Sequence, residues 1–207
     1  MMSGSRLTHK AWHGSREVSG PKVRAGATCG AWGLLATAVT ALAIVFIGSQ
    51  KAEASHDYVF PVLSTSSWAF CTDINTSGAS DGYEHARSMW QNNTVLNIST
   101  VPSCAQGANA EWRSGQLVDS WYGFVTCQSQ AGDYCNFSLV EINDRTIGQA
   151  DNPTQQYNKT SCHEMGHVGG LGHRSNTTLS CMVQGSSPPI STVPDSHDMD
   201  AMDLTYN

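Results

Sequence analysis

Apolar side chains fall in short interrupted runs along residues 68–143, and the spacing inside each run says which element it builds. Trp68–Thr72 (WAFCT), Val95–Thr100 (VLNIST), Trp121–Thr126 (WYGFVT) and Phe137–Asn143 (FSLVEIN) are β-branched or aromatic stretches bounded by Gly, Asn and Pro, the pattern of short strands. Between the first two, Tyr83, Ala86, Met89 and Trp90 recur at helical spacing behind Asp81 and Glu84, a variant of the capping box. This predicts a helix from about Gly82 to Gln91, preceded by a turn over Asn75–Ser80. Thr154–Val168 reads as a second helix, and Gly169-Gly170 stops it, because glycine takes the left-handed C-terminal conformation without steric penalty. Pro188, Pro189 and Pro194 mark an irregular segment, after which Asp195 caps a last helix with Met199, Met202 and Tyr206 on one face. Both apolar stripes are read as core packing. The sum is an α+β domain: a small sheet, one early helix, one central helix and a short irregular C-terminal part ending in a helix.

Upstream of this domain the pattern changes. Leu34–Ile47 (LLATAVTALAIVFI) is fourteen residues without a charge, preceded by Lys10, Arg16, Lys22 and Arg24 and followed by Ala52-Glu53-Ala54. A basic stretch, an apolar stretch and an A-x-A site predict a signal peptide over residues 1–54, cleaved after Ala54. The alternative is an uncleaved anchor over residues 30–48, with the rest of the chain outside the membrane. The long basic stretch also points to a start codon downstream of Met1. Residues 55–67 then form a lead-in segment, and residues 68–207 one domain.

Charge divides at the same place. Residues 1–54 hold 6 basic and 2 acidic side chains, and residues 55–207 hold 5 and 15, so the two parts carry +4 and -10. An acidic mature chain is not a general nucleic-acid binder, and a charge of this size reads as solubility. Only 14% of the residues are charged, against about 25% in average domains. The polarity comes instead from Ser, Thr, Asn and Gly, a composition common outside the cell.

An oxidising destination makes the cysteines interpretable as disulfides. Cys29 precedes the apolar stretch, which leaves Cys71, Cys104, Cys127, Cys135, Cys162 and Cys181, six residues with fifteen pairings on paper. Cys127 and Cys135 flank a Gly-containing connection between two strand-like runs and predict a hairpin staple. Cys162 and Cys181 bracket the motif described next, and Cys71 is left with Cys104.

That motif is His163-Glu164-Met165-Gly166-His167-Val168-Gly169-Gly170-Leu171-Gly172-His173. Residues at i and i+4 share a helix face, with Cβ atoms about 6 Å apart, so the imidazoles of His163 and His167 can converge on one ion. A chain reversal at Gly170 can return His173 to the same place. Three neutral nitrogens with a fourth position open describe a catalytic zinc site rather than a closed structural one. Glu164, next to the first histidine, is placed beside the ion rather than on it, as a general base for a water that attacks a carbonyl. The chemistry expected is amide hydrolysis.

With its fixed glycine and third histidine, HExxHxxGxxH resembles the signature of the metzincin clan of zinc metallopeptidases, and HEMGHVGGLGH with a methionine nine residues on is similar to the matrixin branch. The likeness is strong over Thr160 to about Gly185 and elsewhere is only an order of elements. It implies a metzincin-like fold, a twisted mixed sheet with a backing helix and an active-site helix. It also implies one zinc ion on His163, His167 and His173, Glu164 as base, Gly170 as the turn, and Met182 as the Met-turn beneath the metal. An extended protein or peptide substrate would pair with the edge strand, here either Trp121–Thr126 or Phe137–Asn143, and Val183–Ile190 would line the pocket for the residue after the cut bond.

Departures from the resembling families matter too. Matrixin latency uses a propeptide cysteine, and Cys29, ahead of the apolar stretch, is not assigned that role. Gln184 stands two residues after Met182, where astacin-like and serralysin-like relatives place a tyrosine, so no tyrosine is assigned to the metal. His85 is read as solvent-facing, and His197 and Asp198 as local caps or pairs. Asp144, Asp151, Asp195, Asp200 and Asp203 offer oxygens for calcium, but their spacing matches no calcium loop. Sequons start at Asn75, Asn92, Asn97, Asn136, Asn158 and Asn176 and matter only in a host that glycosylates exported proteins.

The expectation is therefore an exported zinc endopeptidase. A non-catalytic zinc-containing secreted binding or adhesion protein of the same fold is the alternative, with a membrane-tethered form of the enzyme as a third reading. Oligomeric state is not readable from the chain.

Overall fold

In β2 (Ser67–Asp73) the large side chains Trp68 and Phe70 are buried, and the strand pairs in parallel with β3 (Asn97–Val101) on one side and β4 (Ala110–Gly115) on the other. A computed structural model of the chain describes residues 61–175 and 177–207. The signal or anchor segment, Cys29, the cleavage site, residues 55–60 and the sequon start at Asn176 lie outside the described residues. On from β4 comes β6 (Tyr134–Asn143), again parallel, while β5 (Gly123–Ala131) runs antiparallel along β6. A short β1 (Val62–Leu63) pairs in parallel with the start of β6, so part of the expected lead-in belongs to the sheet. The order β3-β2-β4-β6-β5 puts β5 on an edge and β6 inside the sheet.

Parallel strands need a crossover, and α1 (Ser77–Asn93) supplies it between β2 and β3. Its buried stripe is Tyr83, Ala86 and Trp90, with Met89 half-buried. Tyr83, Phe70 of β2 and Trp112 of β4 meet with ring centroids 5.2–5.9 Å apart, the edge-on and tilted geometry that aromatic quadrupoles favour.

The helix begins at Ser77, capped by Thr76, and not at Gly82: the Asn75–Ser80 stretch that reads as a turn is mostly first turn of helix. The reason is tertiary. A side chain at Gly82 would stand 2.7 Å from Ser161 Oγ and 3.0 Å from the Tyr157 carbonyl oxygen of α3 (Pro153–Val168). A residue that weakens an isolated helix by about 1 kcal/mol is what lets these two helices touch.

Four elements differ from the sequence pattern in other ways. β4 (AEWRSG) carries one large apolar residue, Trp112, and its outward positions are Glu111 and Arg113, the latter paired with Glu141 of β6 at 2.8 Å. α2 (Asp144–Ile147) is a single turn capped by Asn143. β5 and β6 extend past the predicted runs into the hairpin that Cys127–Cys135 clips. The other disulfides join Cys71 to Cys104 and Cys162 to Cys181.

The C-terminal part is irregular up to α4 (Ser196–Tyr206), which Asp195 and Asp198 start with a reciprocal capping box. Met202 is buried, Met199 half-buried, and the Tyr206 ring meets Trp68 edge-on at 5.7 Å, so this stripe packs on the core. Among the described residues no helix is long and apolar enough to cross a membrane.

Candidate metal centre

The central helix α3 is buried along most of its length, from Gln156 to Val168 apart from a half-buried Asn158. Asn152 caps it, Pro153 occupies the first turn where a missing N–H costs nothing, and Trp90 of α1 donates its indole N–H to the Cys162 carbonyl at 3.0 Å. At the other end the Gly170 N–H donates to His167 O at 2.9 Å and the Leu171 N–H to Gly166 O at 3.1 Å, a Schellman motif with Gly170 at φ 87°. The reversal returns His173 to the helix face it has just left.

The three imidazoles meet there. His167 Nε2 lies 3.0 Å from His163 Nε2 and 3.2 Å from His173 Nε2. Their protonation follows from what the other ring nitrogens touch: His163 Nδ1 is 2.7 Å from the Cys181 carbonyl oxygen, and His167 Nδ1 is 2.6 Å from that of Leu171. A carbonyl only accepts, so both Nδ1 atoms carry the proton and both Nε2 atoms present lone pairs. Lone pairs at 3.0 Å repel one another unless a cation lies among them. Carbonyl-fixed tautomers of this kind are the usual support for metal-bound histidine, so the donor set fits a zinc ion.

Electrostatics agree with the geometry. Burial lowers the pKa of His163 well below the usual histidine value, with the Lys159 charge adding to it, and burial lowers that of His167 to about 4 against the opposing hydrogen bond to Leu171. Burial also lowers His173, the exposed member of the trio. All three rings are held neutral, the form that binds metal.

Glu164 is buried next to the histidines, and burial raises its carboxyl to about 8 against the opposing Lys159 charge. It lies hard against the start of β5: a side chain at Gly123 would be 2.7 Å from Glu164 Cγ, Glu164 Oε1 and Thr160 Cγ2. Lys159, one turn before His163, is 4% exposed and lowered by burial to about 8. A cleft of about 340 Å³ covers the group, lined by residues 121–125, Lys159, Thr160, the three histidines, Glu164, Gln184 and Gly185.

Met182 is fully buried, and its sulfur packs over Gly166. Ser180 Oγ accepts the Met182 N–H at 2.9 Å and donates to buried Asp198, which also pairs with Arg174 at 3.2 Å. The turn thus rests on α4, and through Cys181 it reaches α3 twice, by the Cys162 disulfide and by the carbonyl that orients His163.

The remaining polar residues find other uses. His85 is not solvent-facing: it is half-buried, with Nε2 2.8 Å from the Thr192 carbonyl, because α1 packs against the C-terminal segment. Asp195, His197 and Asp198 lie close together, with the two aspartates engaged in the capping box and both paired with Arg174. Asp144 accepts from Thr76 and Tyr157, and Asp203 from the Val95 N–H. Lys159 and Gly123 were not singled out in the sequence. The i−4 spacing of Lys159 from His163 was the available signal, whereas nothing local marks Gly123.

No model of a known protein family matches the chain, and no curated protein matches it. Among solved structures it is similar to a crystal structure of myroilysin, at 13% identity over 70% of this chain and 86% of that one, with a TM-score of 0.48. A second myroilysin structure gives 13% identity over 70% and 82%, TM-score 0.47. Archaemetzincin from Methanopyrus kandleri gives 14% over 68% and 96%, TM-score 0.45.

Proposed function

We propose that the chain is an exported zinc-dependent endopeptidase, with His163, His167 and His173 as ligands and Glu164 as general base. The observation that carries this is the convergence of three imidazole nitrogens, two with tautomers fixed by carbonyls, beside the buried carboxyl of Glu164 in one cleft. The six disulfide-bonded cysteines fit an oxidising compartment, and the N-terminal apolar segment would be the export signal. In this reading Met182 is the Met-turn.

When bound, zinc supplies Lewis acidity, acidifying water toward a pKa of about 7 and polarising the substrate carbonyl. Glu164 takes one proton from the attacking water as its oxygen bonds the carbonyl carbon, and returns that proton to the amine nitrogen as the C–N bond breaks. The carbonyls of Cys181 and Leu171 hold His163 and His167 in the tautomer that keeps Nε2 available. β5, open on its outer side among the described residues, offers backbone donors and acceptors to an extended substrate.

Chelation of the protein purified from an exporting host should abolish cleavage of a denatured protein, and zinc should restore it at about one ion per chain. Zinc bound with no cleavage of any substrate would favour the non-catalytic binding protein; a chain that takes no zinc would overturn the site.

Gly123→Ala tests the fit of β5 against the base. The added methyl must push Glu164 or Thr160 aside, so kcat/KM is expected to fall by about 10- to 100-fold with zinc content unchanged. Unaltered cleavage would show that the strand does not position Glu164.

A further inference from the structure

We propose that Lys159 is a specificity-determining residue that receives a carboxylate of the substrate next to the cut bond. It projects from α3 one turn before His163 and lines the same cleft as the three histidines, Glu164, Gln184 and Gly185. Its side chain is buried, and a buried ammonium is costly unless hydrogen-bonded acceptors surround it.

Among the described residues no side chain accepts from it. Its one side-chain hydrogen-bond contact among the described residues is with His163 Nδ1 at 3.5 Å, but that nitrogen carries a proton committed to the Cys181 carbonyl at 2.7 Å, so two donors face each other. The ion pairs of Arg87, Arg113 and Arg174 do not involve Lys159. Glu164 acts on Lys159 electrostatically but is in no ion pair with it among the described residues.

A cation left without an acceptor at the wall of a cleft is matched by an anion that arrives with the ligand. Lys159 Nζ lies 3.5 Å from the His163 ring, so that anion sits beside the histidine cluster, next to the reacting carbonyl. The choice of a peptide as its bearer rests on the peptidase reading. A peptide offers this chemistry in two places, the side chain of Asp or Glu and the C-terminal carboxylate.

The test compares zinc-loaded wild type, Lys159→Met and Lys159→Arg on C-terminally amidated peptides that differ only by Glu or Gln beside the cut bond, and on the Gln peptide with a free C-terminus one residue beyond it. The quantity read is the ratio of kcat/KM for the acidic over the neutral member of each pair, so a general loss of activity in a variant cancels. Wild type should prefer one acidic form by about 30-fold, Lys159→Met should bring the ratio near one, and Lys159→Arg should keep most of it. Preference for the Glu peptide assigns a side chain, and preference for the free terminus assigns an end-recognising peptidase. A wild-type ratio near one, or a ratio kept in Lys159→Met, overturns the proposal.

Binding of the same fluorescent peptides to zinc-loaded Glu164→Gln protein, with and without Lys159→Met, reads the preference without turnover. A protein that cleaves nothing yet holds the acidic peptides through Lys159 ends the peptidase reading and keeps the carboxylate site. Equal binding of acidic and neutral peptides overturns the site itself.

Discussion

Glu164→Gln is expected to lower kcat/KM by about 10²- to 10⁴-fold, the usual contribution of a positioned base, with zinc still near one ion per chain. Gln keeps the shape of a side chain that lies 2.7 Å from where a Gly123 methyl would be, so the cleft keeps its form. Only the capacity to take a proton is lost. Metal analysis beside peptide kinetics separates the roles. Loss of zinc together with activity would make Glu164 a ligand or a structural support, and full activity in the variant would remove it from the chemistry.

Loss of the Cys162–Cys181 bond should have the second large effect, because that bond closes a 19-residue separation and joins the metal helix to the turn beneath it. By the chain-entropy model a loop of this size contributes about 3 kcal/mol, seen as a lower thermal midpoint of Cys162→Ser/Cys181→Ser. The Cys181 carbonyl also orients His163, and loss of such a support typically weakens metal affinity by about 10- to 100-fold. Chelator competition measures it. The hairpin clip Cys127–Cys135 is the control: its removal should cost stability and leave zinc affinity alone, and equal zinc affinity in both double variants would dissociate the disulfide from the metal centre.

What could be read from the chain followed the locality of each signal. His163, His167 and Gly170 act through spacings of a few residues, helical i,i+4 and a C-terminal glycine, so their places on α3 and its turn were open to inspection. Cys127 and Cys135 flank their own hairpin. β4 was not legible, because a strand between two parallel neighbours with outward Glu111 and Arg113 shows one large apolar residue and no run. The start of α1 was misread for the opposite reason. Gly78 looks like a turn residue and Gly82 like a helix start until α3 stands beside them, filling the space their side chains would need. Lys159 lies between: its helical position was readable, but its want of an acceptor depends on Cys181, 22 residues away in sequence.

The open side of β5 bears on which proteins could be cut at all. A segment that pairs with that strand must lie extended for several residues, and so must first leave whatever helix or sheet holds it in its own fold. For a folded target the attack would go through a locally opened form, whose population falls about tenfold for each 1.4 kcal/mol of local stability. Susceptibility would then be graded by the victim's own fluctuations, with frayed termini and loose loops consumed first and rigid cores spared until they melt.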